Sequence, residues 1–170
     1  MMVDGERGRR VDHDGDEAEF AALVAEVEQP LRRALVAAYG PQTGREALAD
    51  ALAWAWEHLD RLRGMSSPAG YLWRVGQTSV RHQHRHVRFE VPLSGAAAAG
   101  VAPVPEWDEA LLTSLQRLTV HQRVAVVLVH AYDYRLAEAA AVLGCTVSTL
   151  RNHLARGLEH ARRDLERRER

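Results

Sequence analysis

Apolar residues recur at three- and four-residue spacing along most of the chain, a pattern that predicts amphipathic helices. A first helix is predicted to begin at Asp16, with Pro30 inside it as a point where it should kink or split. Residues 43–46 have the capping-box pattern that opens a second helix, and residues 67–68 have the Ser-Pro pair that opens a third. Residues 1–15 offer little to bury, so we expect a disordered lead-in.

The pattern divides the chain into two helical units. Residues 93–105 carry no charge and are rich in Ala, Gly and Pro, which predicts a flexible linker. Such a linker would let the N-terminal unit, residues 16–92, and the C-terminal unit, residues 106–170, move without touching. Further capping-box and helical patterns follow the linker. The predicted fold is therefore all-α, two small helical bundles joined by a flexible linker.

The C-terminal unit contains a helix-turn-helix pattern. A short alanine-rich helix is predicted to end at Gly144, and a tight turn leads to a second helix that Thr146 or Ser148 can cap. The apolar positions predicted to face inward on this second helix are Val147, Leu150, Leu154 and Leu158. Side chains able to bond base edges or phosphates occupy the turn and the opposite face: Thr146, Ser148, Thr149, Arg151, Asn152, His153 and Arg156. This arrangement is typical of a DNA recognition helix, although an ordinary helical hairpin has the same periodicity.

The third predicted helix becomes basic towards its end. Between residues 71 and 88 there are four arginines and no acidic residue. One interpretation is that these cations complement the helix dipole. The other is a phosphate-tracking surface, with Tyr71 and Trp73 exposed for base stacking. His82 and His86 lie four residues apart and could share a metal, but no third ligand has a supporting spacing, so solvated histidines are favoured.

Composition narrows the function classes. The net charge is −1, so any nucleic-acid footprint must be local, and the single cysteine, Cys145, excludes an internal disulfide. The chain contains no phosphate-binding loop, nucleophile motif or paired carboxylates in a motif, which predicts a non-enzyme without cofactors. It also contains no apolar span or signal peptide, which predicts a cytoplasmic protein without membrane insertion.

The C-terminal unit resembles the second domain of extracytoplasmic-function sigma factors, the small promoter-recognition subunits of bacterial RNA polymerase. The residues on the family pattern are Leu118, Gln122, Arg123, Glu138, Ala140, Leu143, Gly144, Thr149, Leu150, Leu154 and Arg156. The resemblance implies that this unit reads the upstream (−35) promoter element in the major groove.

The N-terminal unit resembles the first domain of the same family. The segment REALADALAWAWEHLDRL is similar to the helix that docks on the β′ clamp helices, which implies docking by Glu46, Ala49, Asp50 and Trp56. The segment GYLWRVGQTSVRHQHRH is similar to the helix that captures the downstream (−10) strand. Its implied DNA contacts are Tyr71, Trp73, Arg74, Thr78, Arg81, His82 and Arg85. Ala49 stands where the family usually has glutamine, and Thr78 and His82 stand at usual Asn and Asp positions.

The resemblance covers residues 18–165 and implies a sigma factor that directs core RNA polymerase to promoters and assists strand opening. Implied partners are core RNA polymerase, through its β′ clamp helices and β flap, promoter DNA, and an anti-sigma factor. The alternative is a stand-alone helix-turn-helix transcriptional regulator, which the missing glutamine at Ala49 favours slightly.

Overall fold

A computed structural model of the chain describes residues 5–83 and 109–168, with side chains from residue 14 to 83 and from 109 to 167. All regular structure in these residues is helical, which confirms the all-α prediction. The helices are α1 (Gly5–Tyr39), α2 (Pro41–Glu57), α3 (Leu59–Leu62), α4 (Pro68–Gln83), α5 (Glu109–Gln116), α6 (Val120–His130), α7 (Leu136–Leu143) and α8 (Val147–Arg168). None of the helices in these two ranges is long and apolar enough to span a bilayer.

Helix α1 is longer than predicted. It begins at Gly5, so the lead-in predicted to be disordered is helical from that residue on, and it runs to Tyr39 without splitting at Pro30. A proline removes one helical N–H donor, but a long helix packed along its length keeps enough other bonds to continue. The helix ends where Gly40 adopts φ 83°, a conformation that glycine takes without strain.

The starts of α2 and α4 test the two helix-start patterns that the sequence predicted there. The predicted capping box at residues 43–46 is wrong, because α2 already begins at Pro41 and has no side-chain cap. The Ser67–Pro68 start is confirmed: α4 begins at Pro68, and the hydroxyl oxygen of Ser67 accepts a hydrogen bond from the Gly70 N–H at 3.3 Å. Proline supplies the φ angle of a first helical turn and has no N–H to leave unbonded there.

The C-terminal unit forms as its pattern predicts. Thr119 and Gln122 make the reciprocal capping box at the start of α6. Helix α7 ends at Gly144, whose φ of 59° and ψ of 38° place it in the left-handed region. A separate small apolar cluster joins α5, α6 and α8 through residues that include Leu115, Leu118 and Val126.

The two units are packed together, whereas the predicted linker was expected to leave them free not to touch. One apolar cluster runs from Val27 and Leu31 in α1 through Trp73 in α4 to Val124 in α6 and Leu150 in α8. The periodicity of each helix reveals that it has a buried side, but it does not reveal which helix covers that side. The sequence therefore predicted the buried side of each helix but not the packing of one unit against the other.

Polar contacts accompany this shared core. The buried guanidinium of Arg123 in α6 donates from Nη1 to the carbonyl oxygen of Ala38 at the end of α1, at 3.0 Å. Its Nη2 donates to the carbonyl of Leu118 at 3.1 Å. On another side of α1, the Arg33 guanidinium carbon lies 4.6 Å from the ring centre of Tyr132 and 5.6 Å from that of Tyr134. The predicted linker, residues 93–105, lies outside the described residues.

Candidate nucleic-acid interface

The helix-turn-helix is built from α7, a turn at residues 144–146, and α8. Buried Ala139 and Ala140 are small enough to let α8 pass closely over α7. The inner side of α8 is formed by buried Leu150, Gly157 and Ala161, with Leu154 partly buried. A methyl group added at Gly157 would lie 2.9 Å from Val126 Cγ2, so glycine permits a close crossing with α6.

Leu158 was predicted to face inward and does not, since 42% of its surface is exposed. Gly157 and Ala161 take the inward positions in that part of α8, and Leu158 is displaced towards solvent. A glycine carries little weight in a hydrophobic pattern, so the pattern selected the larger neighbour.

The predicted outer face of α8 is largely exposed, whereas its apolar side is packed against the core. The exposed members of the predicted set are Thr146, Ser148, Thr149, Arg151, Asn152 and Arg156. Long donors such as Arg151 and amides such as Asn152 reach base edges when a helix enters the major groove. Exposure on one face and burial on the other is the geometry that such an entry requires.

Three hydroxyls form a network at the start of α8. Thr146 Oγ1 accepts from the Thr149 N–H at 3.2 Å, so of the two predicted candidates, Thr146 and Ser148, it is Thr146 that caps the helix. The same oxygen lies 3.0 Å from Ser148 Oγ and 2.9 Å from Thr149 Oγ1. These contacts fix the orientation of the first turn of α8, where recognition helices approach DNA most closely.

His153 departs from the predicted outer face. It is half-buried, and its ring stacks on that of His121 in α6, with centroids 5.3 Å apart and an angle of 22° between the planes. Burial, reinforced by the nearby His153 and Arg81, holds the pKa of His121 below its ordinary value. The His153 side chain thus extends from α8 towards α6, and only part of it faces solvent.

Helix α4 presents an exposed polar side beside α2. Arg74, Thr78, Arg81 and His82 are exposed, and Tyr71 is half-buried. A cleft of about 520 Å³ lies between the two helices, and its lining residues are Asp50, Trp54, Tyr71, Arg74, Val75, Thr78, Ser79 and His82.

Aromatic and cationic groups are stacked at this cleft. Trp54 lies parallel to the His58 ring at 4.3 Å between centroids and packs on Tyr71 at 5.1 Å. The guanidinium carbon of Arg74 lies 5.8 Å from the Tyr71 ring centre. Aromatic faces beside arginines are the combination on which unpaired bases stack.

Trp73 was predicted to be exposed for base stacking, and this prediction is wrong. Its side chain is fully buried, stacked on Tyr39 of α1 at 6.4 Å and edge-on to His121 of α6 at 6.4 Å. Its indole N–H has no hydrogen-bond partner among the described residues. The neighbouring Tyr71 and Trp54 supply the accessible aromatic surface instead.

The four predicted docking residues do not form one uniform surface. Glu46 and Ala49 are exposed, and Trp56 is 40% exposed with its ring edge-on to Phe20 at 5.2 Å. Asp50 is turned towards α4, where its Oδ2 accepts hydrogen bonds from Ser79 Oγ and, at 2.8 Å, from Gln83 Nε2. Asp50 therefore also joins α2 to α4.

The remaining predicted residues lie outside the described ranges. These are Arg85, with Arg88 and His86 of the same basic segment. Within the described ranges, no three metal-binding side chains come together.

Sequence reasoning missed the contacts of two positions where the units meet, Gly70 and Arg123. Gly70 was not singled out, and Arg123 was named only as a residue on the family pattern, because helical periodicity assigns neither a glycine nor an arginine to the core. The helix-start pattern at residues 67–68 could have directed attention to Gly70, since Gly70 lies in the first turn of α4.

Comparisons with known proteins agree with this geometry. Residues 108–160 match the family model for sigma-70, region 4. The fold is similar to that of the sigma factor RpoE from Bartonella quintana, solved with the anti-sigma factor NepR, at 19% identity and a TM-score of 0.55 over 86% of this chain and 96% of that one. It is also similar to CnrH, solved with the cytosolic domain of CnrY, at 23% identity and a TM-score of 0.54 over 86% and 87% of the two chains.

No curated protein matches the chain significantly in sequence. The match to region 4 falls on the helix-turn-helix whose outer face is exposed, and the shared fold extends to both units. These findings agree with the resemblance drawn from the sequence motifs: in sequence for the C-terminal unit, and in fold for both units. The C-terminal unit thus matches sigma-70, region 4, and the fold of the described residues is similar to those of RpoE and CnrH.

Proposed function

We propose that this chain is a sigma factor that directs core RNA polymerase to promoters by reading an upstream element with α8 and a melted downstream strand with the α2–α4 cleft. The observation that carries the proposal is the exposed polar face of α8, because the opposite face of the same helix is packed in the core. Each unit alone makes few contacts, and attachment to polymerase would fix both readers at a set spacing.

At the upstream element, Arg151 and Asn152 are assigned to base edges and Arg156 to the phosphate backbone. Ser148 and Thr149 add hydroxyls beside them, held by the cap at Thr146. Phosphate contacts set orientation and depend on salt, whereas base contacts set sequence preference.

At the downstream element, Tyr71 and Trp54 are assigned to base stacking and Arg74 and Arg81 to the strand's phosphates. The cleft volume of about 520 Å³ suits a single nucleobase better than a duplex. Thr78 and His82 line the cleft or its rim and would bond an unpaired base. Arg85 belongs to the same proposal on sequence grounds alone.

Polymerase docking is assigned to Glu46, Ala49 and the exposed edge of Trp56, facing the β′ clamp helices, with the C-terminal unit meeting the β flap. A partly exposed tryptophan is a common anchor in protein interfaces. An anti-sigma factor is the expected regulator, because the RpoE structure holds the anti-sigma factor NepR and the CnrH structure holds the cytosolic domain of CnrY. We assign the chain no catalysis of its own.

Run-off transcription with core RNA polymerase tests the function, with the promoter upstream of its own coding region as template. We expect a specific transcript that appears only when the protein is added. Replacing Trp54 with alanine should reduce transcription more on a double-stranded template than on one with a pre-melted downstream element. Lack of association with core polymerase even at low salt would contradict the proposal.

A further inference from the structure

The cleft between α2 and α4 has one carboxylate among its lining side chains, that of Asp50. Asp50 is half-buried, and the aromatic side chains of Trp54 and Tyr71 line the same cleft. A carboxylate accepts hydrogen bonds and cannot donate them. A ligand that stacks on the aromatic rings therefore meets a group that bonds only to donors.

The two hydroxyl groups that line the cleft also act as acceptors towards a ligand. The hydroxyl proton of Ser79 is donated to Asp50 Oδ2. That of Thr78 is donated to the carbonyl oxygen of Arg74, one turn earlier in α4, at 2.9 Å. A hydroxyl has a single proton, so while these bonds are kept each oxygen can only accept from a ligand. The cleft is thus rich in acceptors.

Asp50 keeps an oxygen for a ligand. Its two hydrogen bonds, from Ser79 and, at 2.8 Å, from Gln83 Nε2, both go to Oδ2. Within residues 14–83 and 109–167, no donor is bonded to Oδ1. Gln83 is exposed at the last position of α4, so its amide can yield its place at Oδ2 to a ligand. The carboxylate can then accept two parallel hydrogen bonds from one ligand.

The four DNA bases differ in the donors on their Watson–Crick edges, by which an unpaired base is read. Guanine has two adjacent donors, N1–H and the N2 amino group. Adenine and cytosine each have an amino donor beside a ring-nitrogen acceptor, and thymine has an N–H between two carbonyl oxygens. An acceptor that faces a carboxylate is repelled and loses its hydrogen bond to water. Guanine is therefore the only one of the four whose edge matches both oxygens of a carboxylate.

We propose that Asp50 makes the α2–α4 cleft selective for guanine among the unpaired bases of the downstream strand. The inference rests on the proposed function, because it names the base that the cleft accepts. The carboxylate of Asp50 bonds N1–H and the N2 amino group of the base, and Trp54 and Tyr71 stack against its ring. The hydrogen bond from Ser79 holds the carboxylate in place from the α4 side.

The variant Asp50→Asn tests the assignment, because it exchanges one oxygen for an amino donor with almost no change in shape. The remaining oxygen can still accept from Ser79, so the contact between α2 and α4 is kept. An amide carries one acceptor and one donor group, which matches adenine or cytosine and no longer matches guanine. Glu57→Gln is the matched control, since it makes the same chemical change at an exposed residue of α2 that does not line the cleft. Cooperative urea unfolding establishes that each variant is folded.

The measurement is equilibrium binding of the full chain, in complex with core RNA polymerase, to templates with a pre-melted downstream element. Each unpaired position is varied through the four bases. For the wild type, we expect one position at which guanine binds about tenfold more tightly than thymine, the discrimination of a good bidentate contact. For Asp50→Asn, guanine should lose this advantage at that position, and adenine or cytosine should gain it. Glu57→Gln should keep the wild-type order of bases.

Three results would overturn the inference and leave the proposed function standing, provided that the wild-type complex forms and supports run-off transcription. The first is a wild type that prefers guanine at no unpaired position. The second is a guanine preference that Asp50→Asn retains. The third is an equal loss of affinity for all four bases in Asp50→Asn, which would limit Asp50 to joining α2 to α4. If the wild type forms no complex with polymerase and yields no transcript, the proposed function fails, and the base assignment fails with it.

Discussion

Helices α4 and α8 were both predicted to present DNA-binding side chains, and they differ in how much of that prediction the structure retains. On α8 and the turn before it, six of the seven predicted residues are exposed, and only His153 is half-buried. On α4 the most prominent predicted residue, Trp73, is fully buried. The outer face of α8 has no covering helix, whereas α4 is packed between α1, α2 and the C-terminal unit. An aromatic residue beside arginines therefore indicates a nucleic-acid surface only where no other unit covers it.

Among the variants that compare the two helices, Trp73→Ala is expected to have the largest effect on stability. Removing a fully buried tryptophan should lower the free energy of unfolding by about 3–5 kcal/mol. The matched change on the exposed face, Arg151→Ala, should alter it by no more than about 0.5 kcal/mol. Urea denaturation of both variants measures this difference. Equal losses would show that the two helices are not distinguished by burial.

Arg151→Ala, which should hardly change stability, is expected to have a clear effect when DNA binding is measured. Loss of a bidentate base contact should weaken binding to the upstream element by about 1–3 kcal/mol and relax preference at one base position. Arg162→Ala, which removes an exposed arginine further along α8, is the control and should change binding only slightly. Titration of a set of single-base operator variants gives both quantities. A loss that is the same on every sequence would assign Arg151 to phosphate instead.

Thr146→Ala should have a smaller effect, because it removes the cap of α8 without touching its outer face. We expect a loss of about 1 kcal/mol in unfolding free energy. Thr146→Ser retains the hydroxyl and should restore most of it. Full stability in the alanine variant would mean that the hydroxyl network does not hold the first turn.

The smallest expected effect is a pH dependence at the junction of the helices. His121 has a pKa held below about 6.5 by burial and by the neighbouring His153 and Arg81. A depressed histidine pKa means that the neutral form is favoured in the folded state. Its contribution to stability is therefore present above about pH 6.5 and lost as the pH falls below that value.

Comparison of urea midpoints at pH 7.5 and pH 5.5 measures this effect. His121→Gln should lose less stability on acidification than the wild type does. His160→Gln removes an exposed histidine of α8 and should behave as the wild type. Identical pH profiles for all three proteins would exclude His121 as the responsible group.

The sequence predicted what depends on local chemistry. The caps at Thr119 and Thr146, the helix end at Gly144 and the start at residues 67–68 all involve side chains within a few residues of one another. The helix-turn-helix and most of its outer face followed from the same local rules.

What the sequence did not predict depends on contacts between distant segments. Trp73 is covered by α1 and α6, and Gly70 meets Gly144 across a separation of many residues. Leu158 faces solvent because α6 approaches α8 at Gly157 instead. Helical periodicity contains no information on which segment arrives at a given side, so these features required the structure.

The buried guanidinium of Arg123 has a consequence for how easily the units part. Of its acceptors, the carbonyls of Leu118 and Gln116 belong to the C-terminal unit, and only that of Ala38 belongs to α1. If the units separated, the cation would keep two of its three oxygen partners. The carbonyl of Ala38 and the guanidinium edge that faces it would each bond water instead. Separation would therefore leave no charge unpaired in an apolar interior, and only that one edge would have to lose water when the units packed again.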